Sequence, residues 1–238
     1  MERLRTYVEN ITNGSHTLTD QQLEQFDKFY EMLIEQNKVM NLTAITDRDD
    51  VILKHFIDSL ALAQYFDLSK NISVIDVGTG AGFPGIPLKI AFPWLDITLY
   101  DSLNKRIKFL LNVIDTLSLK NCTALHGRAE DGGRDDFLRE HFDLAVSRAV
   151  ANMSVLSEYC LPFVKINGYF IPYKTESISD ELENAKKAIQ TLGGNHEKTV
   201  SLTLPSSDIG RSFPFIKKIK KTPSIYPRKA GIVSKQPL

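Results

Sequence analysis

Residues 74–85 read Val-Ile-Asp-Val-Gly-Thr-Gly-Ala-Gly-Phe-Pro-Gly, a short apolar run followed by a glycine-rich turn. Gly78, Gly80 and Gly82 alternate in this turn, so the backbone has few Cβ atoms and adopts positive φ at little cost. A ligand can therefore approach the main chain itself. A plain strand-to-helix connection does not need four glycines in eight residues, which have an entropic cost. The turn predicts a cofactor-binding site.

Two kinds of cofactor fit this turn. Residues 80–85 match the G-x-G-x-x-G pattern, and Asp101 follows Gly82 by nineteen residues, as in nicotinamide and flavin enzymes. A dinucleotide site, however, uses two mononucleotide-binding halves, and the sequence has no second glycine-rich turn. Asp76 and Asp101 each end a predicted strand, and carboxylates there suit a ligand with an ammonium group and ribose hydroxyls. S-adenosyl-L-methionine is such a ligand, and we favour it over NAD.

The segments around the turn predict the fold. Short strands are expected at 72–77, 96–100, 122–126, 142–147 and 169–173, with helices at 85–91, 105–117, 135–140, 153–163 and 176–192. This alternation is typical of a parallel sheet covered on both faces. Segments 199–204 and 213–220 are too close for a crossover helix, so they should pair antiparallel at one edge.

The Asp-x-Gly-x-Gly-x-Gly pattern of residues 76–82 resembles the first motif of the class I methyltransferases. That resemblance implies an α/β, Rossmann-like fold with a mostly parallel seven-stranded sheet and a helical N-terminal extension. In the extension, Thr19 and Gln22 form a capping-box pattern, and Asp47 can cap a second helix through about Tyr65. We therefore expect a helical region at 1–66 that packs on a methyltransferase domain at 67–238.

Charge is distributed unevenly along a chain whose formal net charge is zero. The segment 211–238, called here the basic C-terminal segment, has no Asp or Glu. Its cations are Arg211, Lys217, Lys218, Lys220, Lys221, Arg228, Lys229 and Lys235. Phe213, Phe215 and Tyr226 are interleaved with them, a composition suited to holding phosphates while offering rings for base stacking. The segment favours a polynucleotide partner; the alternative is that its lysines only protect an edge strand.

The rest of the composition excludes several classes of protein. No apolar run approaches the roughly 18 residues of a membrane span, and no apolar stretch follows the N-terminal Met-Glu-Arg-Leu-Arg. Cys122 and Cys160 lack paired or metal-ligand spacing and are expected to be small buried hydrophobes. The five histidines are scattered. We expect a cytoplasmic protein that binds neither a membrane nor a metal.

Five segments in order sharpen the resemblance to one family. They are Asn-Leu-Thr-Ala-Ile at 41–45, His-Phe-Ile-Asp-Ser-Leu at 55–60, the turn at 76–85, Ser-Arg-Ala-Val-Ala at 147–151 and Tyr-Pro-Arg-Lys-Ala-Gly at 226–231. Together they resemble the RsmG (GidB) family of bacterial enzymes over about residues 35–238. The chain departs from the family's usual residues at Gln36, Lys54, Val233 and 173–175.

The resemblance implies an activity, a cofactor and a partner. The family transfers a methyl group from S-adenosyl-L-methionine to N7 of a guanosine in 16S ribosomal RNA, so the expected partner is that RNA or the assembling small ribosomal subunit. Guanine N7 has an exposed lone pair, so no general base is needed, and catalysis would depend on alignment and charge stabilisation. Two alternatives stay open: an NAD-linked oxidoreductase using the same turn, and a non-catalytic RNA-binding module.

The resemblance also implies cofactor-binding residues. Gly78, Gly80 and Phe83 are expected at the methionine side and Asp101 at the ribose. The remaining ones are Ala129 and Glu130 at the adenine and Arg148 at the end of the fourth strand. Phe83 could instead belong to the core, Glu130 could cap a helix, and Arg148 could be an ion-pair partner of Asp76 or Glu130.

Substrate-binding residues are the least specific part of the prediction. Arg148 is also the candidate catalytic residue, through contact with the guanosine or its phosphate. The candidates for contact with substrate are His55, Asp58, Arg128, Arg228, Lys229 and Lys235. A histidine on an apolar helix face, such as His55, is ordinarily a satisfied core residue, so that alternative also stays open.

Overall fold

The computed structural model of the protein describes residues 1–148, 151–175 and 177–238. The strands are β1 Ser73–Val77, β2 Asp96–Asp101, β3 Cys122–His126, β4 Phe142–Ser147, β5 Val164–Pro172, β6 Gly194–Thr203 and β7 Gly210–Lys218. They form one seven-stranded sheet in the order β3-β2-β1-β4-β5-β7-β6. Strands β1 to β5 are parallel, and β7 is antiparallel to both β5 and β6. The predicted class I, Rossmann-like α/β fold with a mostly parallel sheet is confirmed.

The helices cover both faces of this sheet. They are α1 Glu2–Ile11, α2 Asp20–Met40, α3 Arg48–Val51, α4 Asp58–Leu60, α5 Gly85–Ala91, α6 Asn104–Thr116, α7 Ala129–Gly132, α8 Met153–Cys160, α9 Ser179–Thr191 and α10 Ile232–Lys235. One apolar cluster joins the N-terminal helices, α5 and α6 to the sheet, and a second joins α8 and α9 to the other face. Within the described residues, no helix is long and apolar enough to cross a membrane.

The long helix of the N-terminal extension, α2, begins with a capping box. Thr19 Oγ1 accepts from the Gln22 backbone N–H at 3.3 Å, while Gln22 Oε1 accepts from the Thr19 N–H at 2.9 Å. The Gln22 amide also donates to the Ile90 carbonyl at 2.6 Å, which ties α2 to α5. The helical N-terminal extension is therefore confirmed, although the sequence pattern did not single out α1, which buries only three residues. The division of the chain at residue 66 stays a prediction.

The second predicted helix has the expected extent but an irregular interior. Asp47 caps it by accepting from the Asp50 N–H at 3.0 Å. The helix then widens into a π-helix at Ile52–Ile57, continues as α4 and ends in a 3₁₀ turn at Ala61–Gln64. Interruptions of this kind are frequent at functional sites. The π-helix contains His55, and α4 begins at Asp58.

Other differences concern the strand and helix ends. The helix predicted at 135–140 is wrong: α7 lies earlier, and residues 135–140 form turns that end with Glu140 at a φ of 56°. Arg134 and Arg139 donate hydrogen bonds to backbone carbonyls of residues 222–227. These long-range hydrogen bonds stabilise the turns in place of a local helix. Strands β5 and β6 begin five residues earlier than predicted, and α9 begins at Ser179. Residue 176, the predicted start of α9, lies outside the described residues.

Strand direction decides which residues meet at the site. The carboxyl ends of β1 to β5 share one edge of the sheet, where ligands bind in open α/β folds. Because β7 runs the opposite way, its first residues lie at that same edge, as the bridge between Lys174 and Ser212 shows. Its last residues, including Lys217 and Lys218, lie at the opposite edge.

Candidate active site

The glycine-rich turn adopts the backbone conformation for which its sequence is suited. Gly78, Gly80 and Gly82 have φ angles of 71°, 63° and 99°. Gly78 N–H donates to the Tyr100 carbonyl at 2.8 Å, which anchors the turn on β2. A Cβ atom added to Gly82 would lie 2.7 Å from Ile86 Cγ1. The turn is therefore closely packed beneath at Gly82, while Gly78 lines the cavity described below.

Asp76 organises this turn from behind. Its Oδ2 accepts from Thr79 Oγ1 at 2.7 Å and from the Gly85 N–H at 2.8 Å. The carboxylate is fully buried, and burial raises the pKa of Asp76 to about 6. The expectation that Asp76 points into the crevice is wrong, because it does not line the cavity. Its Oδ1, however, has no hydrogen-bond partner among the described residues, so one acceptor beneath the turn is unfilled.

A cavity of about 220 Å³, the first cavity, lies at the carboxyl ends of β1 to β4. It is lined by Val77, Gly78, Tyr100, Asp101, Ser102, Gly127, Arg128, Ala129, Glu130, Ser147, Leu156 and Tyr159. Five residues singled out in the sequence therefore meet here: Gly78, Asp101, Arg128, Ala129 and Glu130. Gly80, Phe83 and Arg148, which were also predicted to bind the cofactor, do not line this cavity.

The two carboxylates of the first cavity have different surroundings. Asp101 Oδ2 accepts from the Gly80 N–H at 2.9 Å and from Arg106 at 3.3 Å, while Oδ1 accepts from the Leu103 N–H at 2.9 Å. Asp101 thus links the glycine turn to β2. Glu130 is 6% exposed and has no hydrogen bond or ion pair to any residue that the structure describes. It caps no helix, so its carboxylate is available to a ligand.

Phe83 lies between the core and a polar cluster. Its ring packs against Phe29 and Phe56 on the core side. The His55 ring stacks on it with centroids 4.6 Å apart, and Arg148 Cζ lies 5.0 Å from the ring centroid. A guanidinium over an aromatic ring is a favourable cation–π arrangement. Phe83 therefore supports His55 and Arg148 at the end of the turn.

His55 is neutral in this arrangement. Its Nδ1 lies 3.1 Å from the Lys54 carbonyl oxygen and 3.3 Å from Arg148 Nη2. Its Nε2 lies 2.8 Å from Thr43 Oγ1, so both ring nitrogens have polar partners. Burial, with the Arg148 charge, lowers the pKa of His55 to about 4. The satisfied-histidine alternative describes His55 well, while its contact with substrate stays a prediction.

Arg148 forms an ion pair, but with Asp58 rather than with Asp76 or Glu130. Arg148 Nη1 lies 3.0 Å from Asp58 Oδ2. Arg211, from the start of β7, lies on the other side of the same carboxylate, with Nε 2.7 Å from Oδ1 and Nη2 3.1 Å from Oδ2. Asp58 is 1% exposed. One buried carboxylate therefore joins α4, the end of β4 and the start of β7.

Arg148 also borders a second cavity of about 500 Å³ on the β4–β5–β7 side. This second cavity is lined by Arg148, Ala151, Asn152, Tyr173, Lys174, Thr175, Glu181 and Arg211, and it shares no lining residue with the first. Lys174 Nζ lies 2.7 Å from Glu181 Oε1 and donates to the Ala151 carbonyl at 2.9 Å. Ala149 and Val150 of the 147–151 segment lie outside the described residues.

The basic C-terminal segment is only partly available to a partner. Arg211 pairs with Asp58, and Arg228 forms a bidentate pair with the fully buried Glu158 at 2.6 and 2.9 Å. Lys218 is also fully buried, donates to the Leu161 carbonyl at 2.7 Å, and has a pKa that burial lowers to about 8. Lys218 and Arg228 therefore stabilise the fold, whereas Arg211 pairs with Asp58 and also lines the second cavity.

The remaining features of this segment divide between the two edges of the sheet. Lys217 lies in the last residues of β7, and Lys220 and Lys221 follow the strand, all at the edge opposite the first cavity. The prediction that Phe213 and Phe215 offer rings for base stacking is wrong, because both are buried. Lys229 and Lys235 are exposed. Helix α10 contacts α8, and α8 carries Tyr159 of the first cavity, so the end of the chain lies close to that site.

Sequence reasoning missed several residues that the fold brings to the two cavities. Tyr100 and Tyr159 line the first cavity, while Lys174 and Arg211 line the second. None of them was proposed as a site residue. The only signal for Arg211 was its place in the basic segment, and its meeting with Asp58 depends on the antiparallel direction of β7.

Comparison with known proteins agrees with this architecture. The model of the family described as rRNA small subunit methyltransferase G, GidB, matches residues 22–209. The chain is 51% identical over 233 residues to ribosomal RNA small subunit methyltransferase G of Lachnoclostridium phytofermentans, covering 98% of this chain and 96% of that protein. It is also 51% identical to the protein of the same name from Brevibacillus brevis, covering 98% of both chains.

Solved structures with low sequence identity share the fold. M. jannaschii TYW2 in complex with AdoMet aligns with a TM-score of 0.55 at 16% identity, over 74% of this chain and 80% of that one. A SAM-dependent O-methyltransferase from Thermotoga maritima aligns with a TM-score of 0.53 at 16% identity, over 79% and 72% of the two chains. The strand order and the glycine turn thus define a class I methyltransferase fold. The chain belongs to the rRNA small subunit methyltransferase G (GidB) family.

Proposed function

We propose that this protein transfers a methyl group from S-adenosyl-L-methionine to N7 of a guanosine in 16S ribosomal RNA. Membership of the family supports the activity and the cofactor. The observation that carries the proposal at residue level is the meeting of the glycine turn, Asp101 and an unpartnered Glu130 in one cavity. These groups lie at the sheet edge where ligands of such folds bind.

The residues of the first cavity fit this cofactor. The positive φ angles of Gly78 and Gly80 leave backbone accessible to a ligand. Beneath the turn, Asp76 Oδ1 is a buried acceptor without a partner among the described residues, which suits a hydrogen-bonded bridge to a ligand ammonium group. Asp101 at the end of β2 would hold ribose hydroxyls, and Ala129 with Glu130 would meet the adenine edge. The bound cofactor would supply an electrophilic sulfonium methyl group.

The protein's contribution to the reaction is positioning and electrostatics. The acceptor N7 brings its own lone pair, so no proton has to be removed from it. His55, which is neutral and hydrogen-bonded on both nitrogens, does not need to act as a base. Arg148, fixed by Asp58 and by the Phe83 ring, would orient the reacting groups.

The NAD-linked alternative fits less well. The doubly wound dinucleotide-binding sheet has the strand order 3-2-1-4-5-6, with two mononucleotide-binding halves. Here an antiparallel β7 lies between β5 and β6, and the second half is missing from the sheet. Equilibrium titration should therefore show binding of S-adenosyl-L-methionine and no comparable binding of NAD.

RNA contacts outside the cofactor cavity remain proposals. Exposed Arg128, Lys229 and Lys235 are suitable for phosphate contacts near the first cavity, whereas Arg228 is committed to Glu158. We propose further that the partner is the RNA or the assembling small subunit. The protein would act in the cytoplasm, without a metal or a membrane. Transfer of labelled methyl groups to small ribosomal subunits and to naked 16S RNA tests it. RNA binding without transfer would instead support the non-catalytic module.

A further inference from the structure

We propose that the second cavity binds the backbone phosphate of the nucleotide whose guanine is methylated. The inference rests on the function proposed above, because it assigns part of the RNA to the same site. It goes further by naming Lys174 and Arg211 as the phosphate contacts, two residues that no motif in the sequence indicated. Four features of the second cavity support it: its position, its charge, its unused donors and its separation from the cofactor.

The position of the second cavity fits the methyl acceptor. The first cavity lies at the ends of β1 to β4, whereas the second lies at the ends of β4 and β5 and at the start of β7. Arg148 follows β4 directly and borders the second cavity while packing on Phe83 of the glycine turn. An acceptor that enters on the β5–β7 side therefore approaches the methionine end of the cofactor across Arg148.

The charge of the second cavity favours an anion. Three cations line it, Arg148, Arg211 and Lys174, and the described carboxylates that pair with them are Asp58 and Glu181. One positive charge is thus uncompensated within the described part of the site. Asp58 is buried, while the side chains of Arg148 and Arg211 each remain 19% exposed. A ligand in the cavity therefore meets the cations rather than the carboxylate between them.

The cations retain unused hydrogen-bond donors. Two guanidinium groups have ten N–H donors in total. Arg148 donates to the Lys54 carbonyl and to Asp58 and lies against His55 Nδ1, while Arg211 donates twice to Asp58 and once to the Gly210 carbonyl, so at least four donors have no partner among the described residues. The Lys174 ammonium uses two of its three donors. Clustered guanidinium and ammonium donors match the oxygens of a phosphodiester, which accept from arginine in bidentate geometry.

The alternative anion is the carboxylate of the cofactor's methionine. Arg148 is placed to meet it, but Lys174 and Arg211 line only the second cavity. Substitutions of these two residues should therefore affect the RNA and leave cofactor affinity unchanged. This difference separates an RNA phosphate from a cofactor carboxylate as the source of the anion.

The main test uses the Lys174–Glu181 pair, whose two members are expected to act in opposite directions. Lys174→Met removes the ammonium and keeps an aliphatic stem, so the Kd for 16S RNA should rise about tenfold. The slope of log Kd against log salt should also fall by about 0.7, the loss of one phosphate contact on a single strand. Glu181→Gln releases Lys174 from its carboxylate, so RNA binding should tighten. Lys186→Met is the matched control, because Lys186 lies on the exposed face of α9, the helix that carries Glu181. It should change neither the Kd for RNA nor the salt slope.

Arg211→Lys provides a second variant that keeps the charge. It loses the planar pairing with Asp58 and with a phosphate, so RNA affinity should fall while the Kd for S-adenosyl-L-methionine stays within twofold of the unmodified protein. A thermal melt of each variant confirms that it is folded at the assay temperature.

The outcomes distinguish this inference from the proposed function. Because the readout is equilibrium binding of RNA, it does not depend on methyl transfer. Unchanged RNA affinity and salt slope in both Lys174→Met and Arg211→Lys would overturn the phosphate assignment, even if the protein methylates RNA. Equal weakening by Lys174→Met and Glu181→Gln would also overturn it, since that result indicates a structural ion pair. Absence of methyl transfer by the unmodified protein would instead contradict the proposed function.

Discussion

Asp58→Asn is the substitution expected to disturb the described structure most specifically. Asp58 is 1% exposed, and two arginines from different strands pair with its carboxylate. In the variant an amide N–H₂ group would face at least one guanidinium, and two neighbouring cations would lose their shared counterion. The pairing connects α4 with the end of β4 and the start of β7, so it holds three elements together at this edge of the sheet.

The magnitude follows from burial. Removing one member of a buried ion pair costs about 3–5 kcal/mol, because the charge left behind is uncompensated. Arg148 and Arg211 each retain 19% exposure and can turn partly toward water, which reduces the cost. We therefore expect the free energy of unfolding to fall by about 2–3 kcal/mol. Urea denaturation followed by circular dichroism measures this change as a lower midpoint at an unchanged m-value.

The matched control is Asp27→Asn. Asp27 also pairs with an arginine, Arg48, but its side chain is 41% exposed. An exposed pair contributes about 0–1 kcal/mol, so this variant should unfold close to the unmodified protein. If Asp58→Asn were no more destabilising than Asp27→Asn, the claim that a buried ion cluster holds this edge of the sheet would be refuted.

Three further predictions concern the glycine turn, His55 and Glu130. Gly82→Ala should lower the free energy of unfolding by more than about 1 kcal/mol and weaken cofactor binding, because the added Cβ would lie 2.7 Å from Ile86. Gly14→Ala is the control: Gly14 has a similarly positive φ, but an added Cβ would meet no atom within 4 Å, so the free energy of unfolding should fall by only about 1 kcal/mol. The pKa of His55 is about 4 in the folded protein, so its contribution to stability is complete above pH 6.5 and is lost as pH falls through 4. His55→Gln should remove that part of the pH dependence of the free energy of unfolding. If parent and variant lost the same stability between pH 7.5 and pH 5, the prediction would be contradicted. Glu130→Gln should weaken cofactor binding about tenfold by calorimetry without loss of stability, and unchanged affinity would exclude Glu130 from the site.

Local sequence signals were sufficient for the sheet and the glycine turn. The turn at 78–82 needs residues that tolerate positive φ, and all three glycines adopt it. The antiparallel pair β6–β7 followed from the short spacing between its strands, and Asp47 caps its helix as its side-chain chemistry predicts. In each case the interaction lies within a few residues or follows from chain connectivity.

Long-range partners could not be predicted in this way. Asp58 and Arg211 are 153 residues apart, and their contact depends on the direction and register of β7. The count of basic residues did not distinguish free cations from those that stabilise the fold, such as Lys218 and Arg228. The position of Asp76 behind the turn was missed for a related reason, since the strand pattern does not show which way its side chain turns.

The catalytic residues remain the least predictable part. The resemblance grouped Phe83 and Arg148 with the cofactor residues, and in the structure Arg148 packs on the Phe83 ring and lines the second cavity. Only methyl transfer itself can show what each contributes.

The most direct test of the central claim is the position of the methyl group on RNA. Small-subunit RNA from cells lacking this protein is incubated with the purified protein and S-adenosyl-L-methionine. It is then cleaved with aniline at N7-methylguanosine and mapped by reverse transcription. We predict one new stop at a single guanosine of 16S RNA, absent without protein or cofactor. No new stop, or methyl groups on another atom of the RNA, would contradict the account.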